Sequence, residues 1–150
     1  MSMEKLLISA CLAGENCKYS GGNNFIGETA LASLGDKYEL VSVCPEVMGG
    51  LSVPRCPCER IGARVMNERG EDVTAQFKAG AELTADICER RGIKKALLKE
   101  KSPSCGSGRI YDGTFTGTLT DGWGVTAELL RDHGICVIGE SEAETWREEH

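Results

Sequence analysis

The sequence predicts an α/β layered fold with a mainly parallel, Rossmann-like sheet, and three observations predict it. Short, continuously apolar runs at residues 6–10, 40–43, 96–98 and 135–138 read as strands buried on both faces. Segments with helical spacing of apolar residues lie between them, and strands that alternate with helices pair in parallel. The chain has 150 residues, which suits one domain spanning 1–150 and is enough to bury a substantial core.

The elements follow in order. LLISA (6–10) opens the sheet, and residues 27–34, with ETALASL at their heart, read as the first helix. LVSV (40–43) is the second strand. ARVMNERGEDV (63–73) has the pattern of a small β-hairpin excursion, with its turn near Arg69 and Gly70. Residues 74–90 form a long helix, with Phe77, Ala81, Leu83, Ile87 and Cys88 on its apolar face. Thr74 is the expected N-cap, Asp72 adds negative charge near that end, and Gly92 is the expected C-cap. ALL (96–98) is the third strand, GRIYDGTFTGTLTDGWG (108–124) a glycine-rich loop or hairpin, and VTAELLRDHG (125–134) a helix stopped by Gly134. ICVI (135–138) is the fourth strand, and SEAETWREE (141–149) is helix-like. Trp123 and Trp146 are expected to pack.

Charge and composition exclude several functions. Net charge is −6, from 17 basic and 23 acidic residues, which argues against nonspecific binding to nucleic acid or anionic membranes. No apolar run approaches the roughly 20 residues of a membrane span, and the short apolar N-terminal run does not resemble a signal peptide. The expected location is the cytoplasm. No P-loop pattern occurs, so ATP hydrolysis has no support.

Eight cysteines are many for such a chain, while histidines number two. His150 is the last residue, and His133 stands where a helix ends, as a cation suited to that end. Any metal here must therefore lean on sulfur. Cys11 closes the first strand, Cys44 the second, and Cys105 lies in the loop after the third. Ligands of open parallel sheets bind outside the carboxyl ends of the strands, so three thiols distant in sequence converge at one edge. Thiolates without imidazole favour an iron–sulfur cluster or zinc. The absence of a CxxC pair disfavours a ribbon-type structural zinc site. Three buried apolar thiols are the plain alternative. Cys17 is a fourth ligand, a thiol near the site or a packing residue. Cys56 and Cys58, in CPC, read as incidental, and Cys88 and Cys136 as core.

SACLAGENCKYSGG, VCPEVMGGLSVPR, GEDVT, KEKSPSCGSGRIYDGTFTG and GWGVTAELLRDHGI follow one another in this order. Together they resemble the family of short bacterial and archaeal proteins that includes thiouracil desulfidase, over residues 6 to about 138. The resemblance implies a [4Fe–4S] cluster held by three cysteines with one iron open, and by motif these are Cys11, Cys44 and Cys105. It further implies roles for Glu46 of CPE and Ser102 of SPSC. The chain departs from the common pattern at Cys58, where a small apolar residue is usual. The chemistry that follows is non-redox removal of sulfur from thiouracil or a related thiolated pyrimidine, giving uracil and sulfide. Glu46 would serve as acid–base group and Ser102 as a hydrogen-bonding group. Backbone N–H groups near Ser104 and Gly106 would contact cluster or substrate. Arg55 either pairs with Glu46 or Glu59 or lines the pocket. The alternatives are a non-catalytic iron–sulfur, zinc or sulfide carrier, and a thiol-redox protein built on Cys56 and Cys58.

Overall fold

The computed structural model describes residues 3–144. Its centre is a four-stranded parallel sheet of β1 (Glu4–Ser9), β2 (Tyr38–Val43), β5 (Lys95–Leu98) and β8 (Cys136–Gly139), in the order β2-β1-β5-β8. Leu6, Leu7 and Ile8 are fully buried, as a strand covered on both faces requires. Period-two alternation sends Leu7, Ala96 and Leu98 to one face, where α3 (Thr74–Arg91) and α4 (Val125–Asp132) cover them through Ala85, Cys88, Ala127 and Leu130. Leu6, Ile8 and Leu97 face the other side, against Leu34 of α1 (Glu28–Lys37) and Ala143. The predicted α/β fold with a mainly parallel sheet is therefore the observed one.

Two antiparallel hairpins decorate the sheet: β3 (Cys58–Ile61) with β4 (Arg64–Asn67), and β6 (Ser107–Tyr111) with β7 (Leu119–Trp123). The first differs from expectation. Its ladder turns at Gly62 and Ala63, so the predicted excursion is its second half. Residues 67–71 do turn, with Gly70 N–H donating to Asn67 O at 3.0 Å, but only a single bridge, Met66 to Asp72, follows.

Other differences are local. Helix α1 continues past Leu34 to Lys37 and abuts β2 directly, because Tyr38 is buried and starts the strand. Thr74 is the first helical residue of α3 rather than its cap. Asp72 Oδ1 accepts its N–H at 2.9 Å and its hydroxyl at 2.5 Å, and Thr74 Oγ1 in turn accepts Val65 N–H at 2.9 Å. Gly92 ends α3 in the left-handed region, as predicted. Leu83 is 46% exposed, since it stands off the stripe that faces the sheet. Cys136 is exposed and not core, because it opens the edge strand β8. His133 follows the last turn of α4, with Nδ1 2.8 Å from Leu129 O. A 3-10 turn covers Glu140–Glu142. Most of the helix expected over 141–149, with Trp146, and also His150, lie outside the described residues. Among the described residues no helix is long and apolar enough to cross a membrane.

Candidate active site

The chain leaves β1 toward β2 on one side, while the step from β5 to β8 runs to the other. The carboxyl ends of β1 and β5 thus flank a topological switch point, where open α/β sheets bind ligands. A cavity of about 620 Å³ lies there. Cys11, Cys44 and Cys105 all line it, delivered by the segments after β1, β2 and β5.

Each of the three is held by a different device. Cys11 begins a tight turn, with Leu12 N–H donating to Ser9 O at 2.9 Å and Gly14 N–H to Cys11 O at 3.2 Å. Asn24 is tied to the same turn through its N–H to Cys11 O at 2.9 Å, and its side chain hydrogen-bonds the Cys11 sulfur. Cys44 is the residue before α2 (Pro45–Met48), one helical turn with proline at its start. That turn lies against α3 at glycines on both sides. A Cβ on Gly49 would stand 1.9 Å from Gln76 O, and one on Gly80 would stand 1.9 Å from Pro45 O. Cys105 is 3% exposed. Its loop offers carbonyls to the start of α4: Val125 N–H donates to Pro103 O and Thr126 N–H to Ser104 O, both at 2.8 Å. These bonds satisfy donors that the first turn of a helix cannot satisfy itself. Ser9 stitches the floor, accepting Lys99 N–H at 2.9 Å and hydrogen-bonding the Cys105 thiol.

Burial pushes the Cys11 and Cys105 thiols up from their ordinary value, with the charge of Glu46 adding to both; Asn24 and Ser9, respectively, oppose it. Cys17 lines the same wall beside Cys44, and burial followed by Cys44 pushes it up to about 12. Cys58 is raised to about 11 by burial and then by Glu46, against the effect of Arg55. Thiols so placed are protonated at neutral pH unless a cation stands beside them, which weakens a free-thiol redox reading. The thiols also do not close on one point: among the described residues, no three His, Cys, Asp or Glu side chains form a ligand group for a single metal ion.

The family model described as 2-thiouracil desulfurase matches residues 6–142. The chain belongs to that family. It is similar to the uncharacterized protein YbbK of Bacillus subtilis (strain 168), at 41% identity over 147 residues, covering 91% of this chain and 96% of that protein. A solved structure of the [4Fe–4S]-dependent thiouracil desulfidase TudS is 49% identical, with a TM-score of 0.90, covering 95% of this chain and 94% of that one.

The remaining predicted site residues divide. Glu46 and Ser102 line the cavity. Glu46 Oε2 accepts Arg55 Nη2 at 2.8 Å and Nε at 3.3 Å, and Arg55 is the more deeply buried partner. Ser102 Oγ accepts the N–H groups of Ser104 and Cys105, both at 3.1 Å. Ser104 and Gly106 do not line the cavity. The Ser104 hydroxyl is buried against Thr126 Oγ1 at 2.8 Å, and Gly106 N–H is donated to Ser102 O at 2.9 Å. The N–H groups expected to reach a ligand are already used inside the loop. Cys56 and Cys58, incidental by their spacing, stand on the cavity wall. Asn24, Ser9 and Lys99 also line the cavity, though no motif marks them as site residues. Ser9 and Lys99 each stand at a strand's carboxyl end, and that position was the available signal.

Proposed function

We propose that this protein removes the sulfur of 2-thiouracil or a closely related thiolated pyrimidine by hydrolysis, using a [4Fe–4S] cluster held by Cys11, Cys44 and Cys105. One observation carries the reading: three thiols from the ends of three adjacent parallel strands face one cavity that also holds Glu46. The donor set fits such a cluster. It is all sulfur, and its members share a wall without forming a single-ion shell, whereas a structural zinc site draws four ligands onto one ion. The name of TudS and the family description point the same way.

Cys11, Cys44 and Cys105 would hold the cluster and leave one iron without a protein ligand, and that iron would supply a thiophilic Lewis acid for the C=S sulfur. The chain's own residues do the rest. Arg55 occupies Glu46 Oε2, which leaves Oε1 to take a proton from water as the water oxygen bonds to the thiocarbonyl carbon. The same carboxyl returns that proton to the sulfur, then takes the remaining proton of the added hydroxyl as the C=O bond forms and the C–S bond breaks, and passes it to the released hydrosulfide. The products are uracil and hydrogen sulfide, so atoms balance and no electron enters or leaves. Ser102 spends its oxygen lone pairs on the loop, and its O–H remains to donate to the pyrimidine oxygen. Lys99, held at the cavity by Glu140 at 2.5 Å, adds positive charge near the developing anion.

The test is anaerobic purification, reconstitution with iron and sulfide, and measurement of 2-thiouracil loss and sulfide release. Cluster-dependent turnover is expected. Cys11→Ser, Cys44→Ser and Cys105→Ser should lose the cluster, while Cys17→Ser keeps it. Glu46→Ala should keep the cluster and lose turnover. A stable cluster with no turnover would return the protein to the carrier reading.

A further inference from the structure

The end of β6 and the loop between β6 and β7 reach the cavity: Tyr111, Phe115 and Gly117 all line it. Asp112 N–H donates to Thr118 O at 3.0 Å and closes the loop. Between them the backbone enters the left-handed region three times, at Gly113 (φ 96), Phe115 (φ 58) and Gly117 (φ 78). Glycine is the residue that tolerates this conformation, and it occupies the first and third positions. The middle position carries phenylalanine, a side chain strained there. Among the described residues only Lys101 shares positive φ without being glycine, and it too lines the cavity.

The strain is held by one buried carboxylate. Glu59 of β3 is 8% exposed, and its Oε1 accepts Gly113 N–H at 2.9 Å and Phe115 N–H at 3.1 Å. Gly113 is pressed onto the same strand, since a Cβ there would stand 2.3 Å from Ile61 Cγ1. Phe115 is half-buried and, among the described residues, belongs to none of the apolar core clusters. A strained aromatic residue, fixed at a cavity wall by a dedicated carboxylate and absent from the core, is placed for a ligand.

We propose that Phe115 is the stacking platform for the substrate ring and confines the site to flat heteroaromatic thiocarbonyl compounds. The inference rests on the desulfidase reading and adds the residue that selects the ring. An aromatic face suits a pyrimidine because stacking needs only a π surface. Glu59 is a positioning residue, acting through the backbone of the loop.

The experiment uses the reconstituted protein and three variants, Phe115→Gly, Phe115→Leu and Phe115→Tyr. It reads the KM and kcat for 2-thiouracil, the Kd for uracil by calorimetry, and the thermal midpoint. Glycine removes the ring and relieves the backbone, so its midpoint should hold or rise. Its KM and Kd should each rise about tenfold or more, with kcat little changed. Leucine keeps the bulk and should weaken binding similarly, while tyrosine should match the parent. A leucine or glycine variant with unchanged KM and Kd overturns the proposal, and a lowered midpoint with unchanged binding shows a packing role instead. If the parent binds uracil but leaves 2-thiouracil intact, the desulfidase reading fails while the Kd series still decides the stacking. If the parent turns over 2-thiouracil and ring removal changes nothing, the stacking fails and the desulfidase reading stands.

Discussion

Arg55 gives two of its nitrogens, Nη2 at 2.8 Å and Nε at 3.3 Å, to one and the same oxygen of Glu46. The guanidinium is itself anchored, with Nη1 donating to Ser52 O at 3.2 Å and its backbone N–H to Tyr19 O at 2.7 Å. The carboxylate is thus held in one orientation beside Cys44, with its second oxygen uncommitted to the pair.

Arg55→Ala should therefore harm both stability and turnover. The Arg55 side chain is 7% exposed and that of Glu46 17%, so removing one partner strands a largely buried charge. Loss of about 3–4 kcal/mol is expected, the lower part of the range for broken buried pairs. Arg55→Lys keeps the charge but not the fork and should recover most of the stability. Its kcat should still fall about tenfold or more, because the carboxylate is no longer fixed. Urea melts and steady-state kinetics read the two effects separately, and equal kcat in the lysine variant would show that charge alone suffices.

The crossing of α2 and α3 makes a sharper structural prediction. Gly80→Ala would drive a methyl group to 1.9 Å from Pro45 O, a contact with backbone that no rotamer can relieve. The cost should be about 2–3 kcal/mol, as for overpacking, and α2 must move, carrying Cys44 and Glu46 with it. Reconstituted iron content should fall along with the thermal midpoint. Gly35→Ala is the control. Gly35 lies exposed within α1 with nothing within 4 Å of an added Cβ, so that variant should gain about 0.5–1 kcal/mol from helix propensity alone.

The contrast between those glycines shows what was legible in the sequence. Apolar runs and their alternation with helices predict the parallel sheet, and strand ends predict that Cys11, Cys44 and Cys105 reach one cavity, because both follow from short-range pattern and general topology. The MGG and KAG glycines look alike on paper, and only the helix crossing tells that Gly49 and Gly80 are contact positions. The first hairpin shows the same limit. Gly70 carries the stronger turn signal, yet the ladder forms around Gly62, where Cys58 and Asn67 can pair. The sequence leaves the partner of Arg55 open, because it depends on how the loop 51–57 returns to the cavity. Phe115 carried a faint signal, a large aromatic in a loop of glycines and threonines.

The start of α3 should titrate. Asp72 lies below the usual carboxylate range, because the Thr74 hydroxyl and then its backbone N–H donate to the ionised carboxyl. A carboxyl with a depressed folded-state value adds stability that is fully present above its unfolded value of about 3.9, and that is lost as pH falls through the lower folded value. Asp72→Ala should therefore be less stable than the parent at neutral pH, and the gap should close in strong acid. Urea melts at stepped pH measure this directly; a gap that widens toward acid would contradict the assigned cause.

The buried hydroxyl pair of Ser104 and Thr126 separates loop architecture from ligand contact. Both residues are fully buried, and their oxygens lie 2.8 Å apart. Ser104→Ala leaves the Thr126 hydroxyl without this partner and should cost about 1–3 kcal/mol. Thr126→Val does the same from the other side, and adding it to Ser104→Ala should cost less than the two single losses combined, because the double variant strands no hydroxyl. A coupling of about 1 kcal/mol across the cycle is expected for residues in direct contact. The KM for 2-thiouracil should stay unchanged in Ser104→Ala, since the hydroxyl is taken up by Thr126 and the Cys105 thiol and Ser104 does not line the cavity. A raised KM with little loss of stability would restore Ser104 to the substrate-binding role that its position in SPSCG first implied.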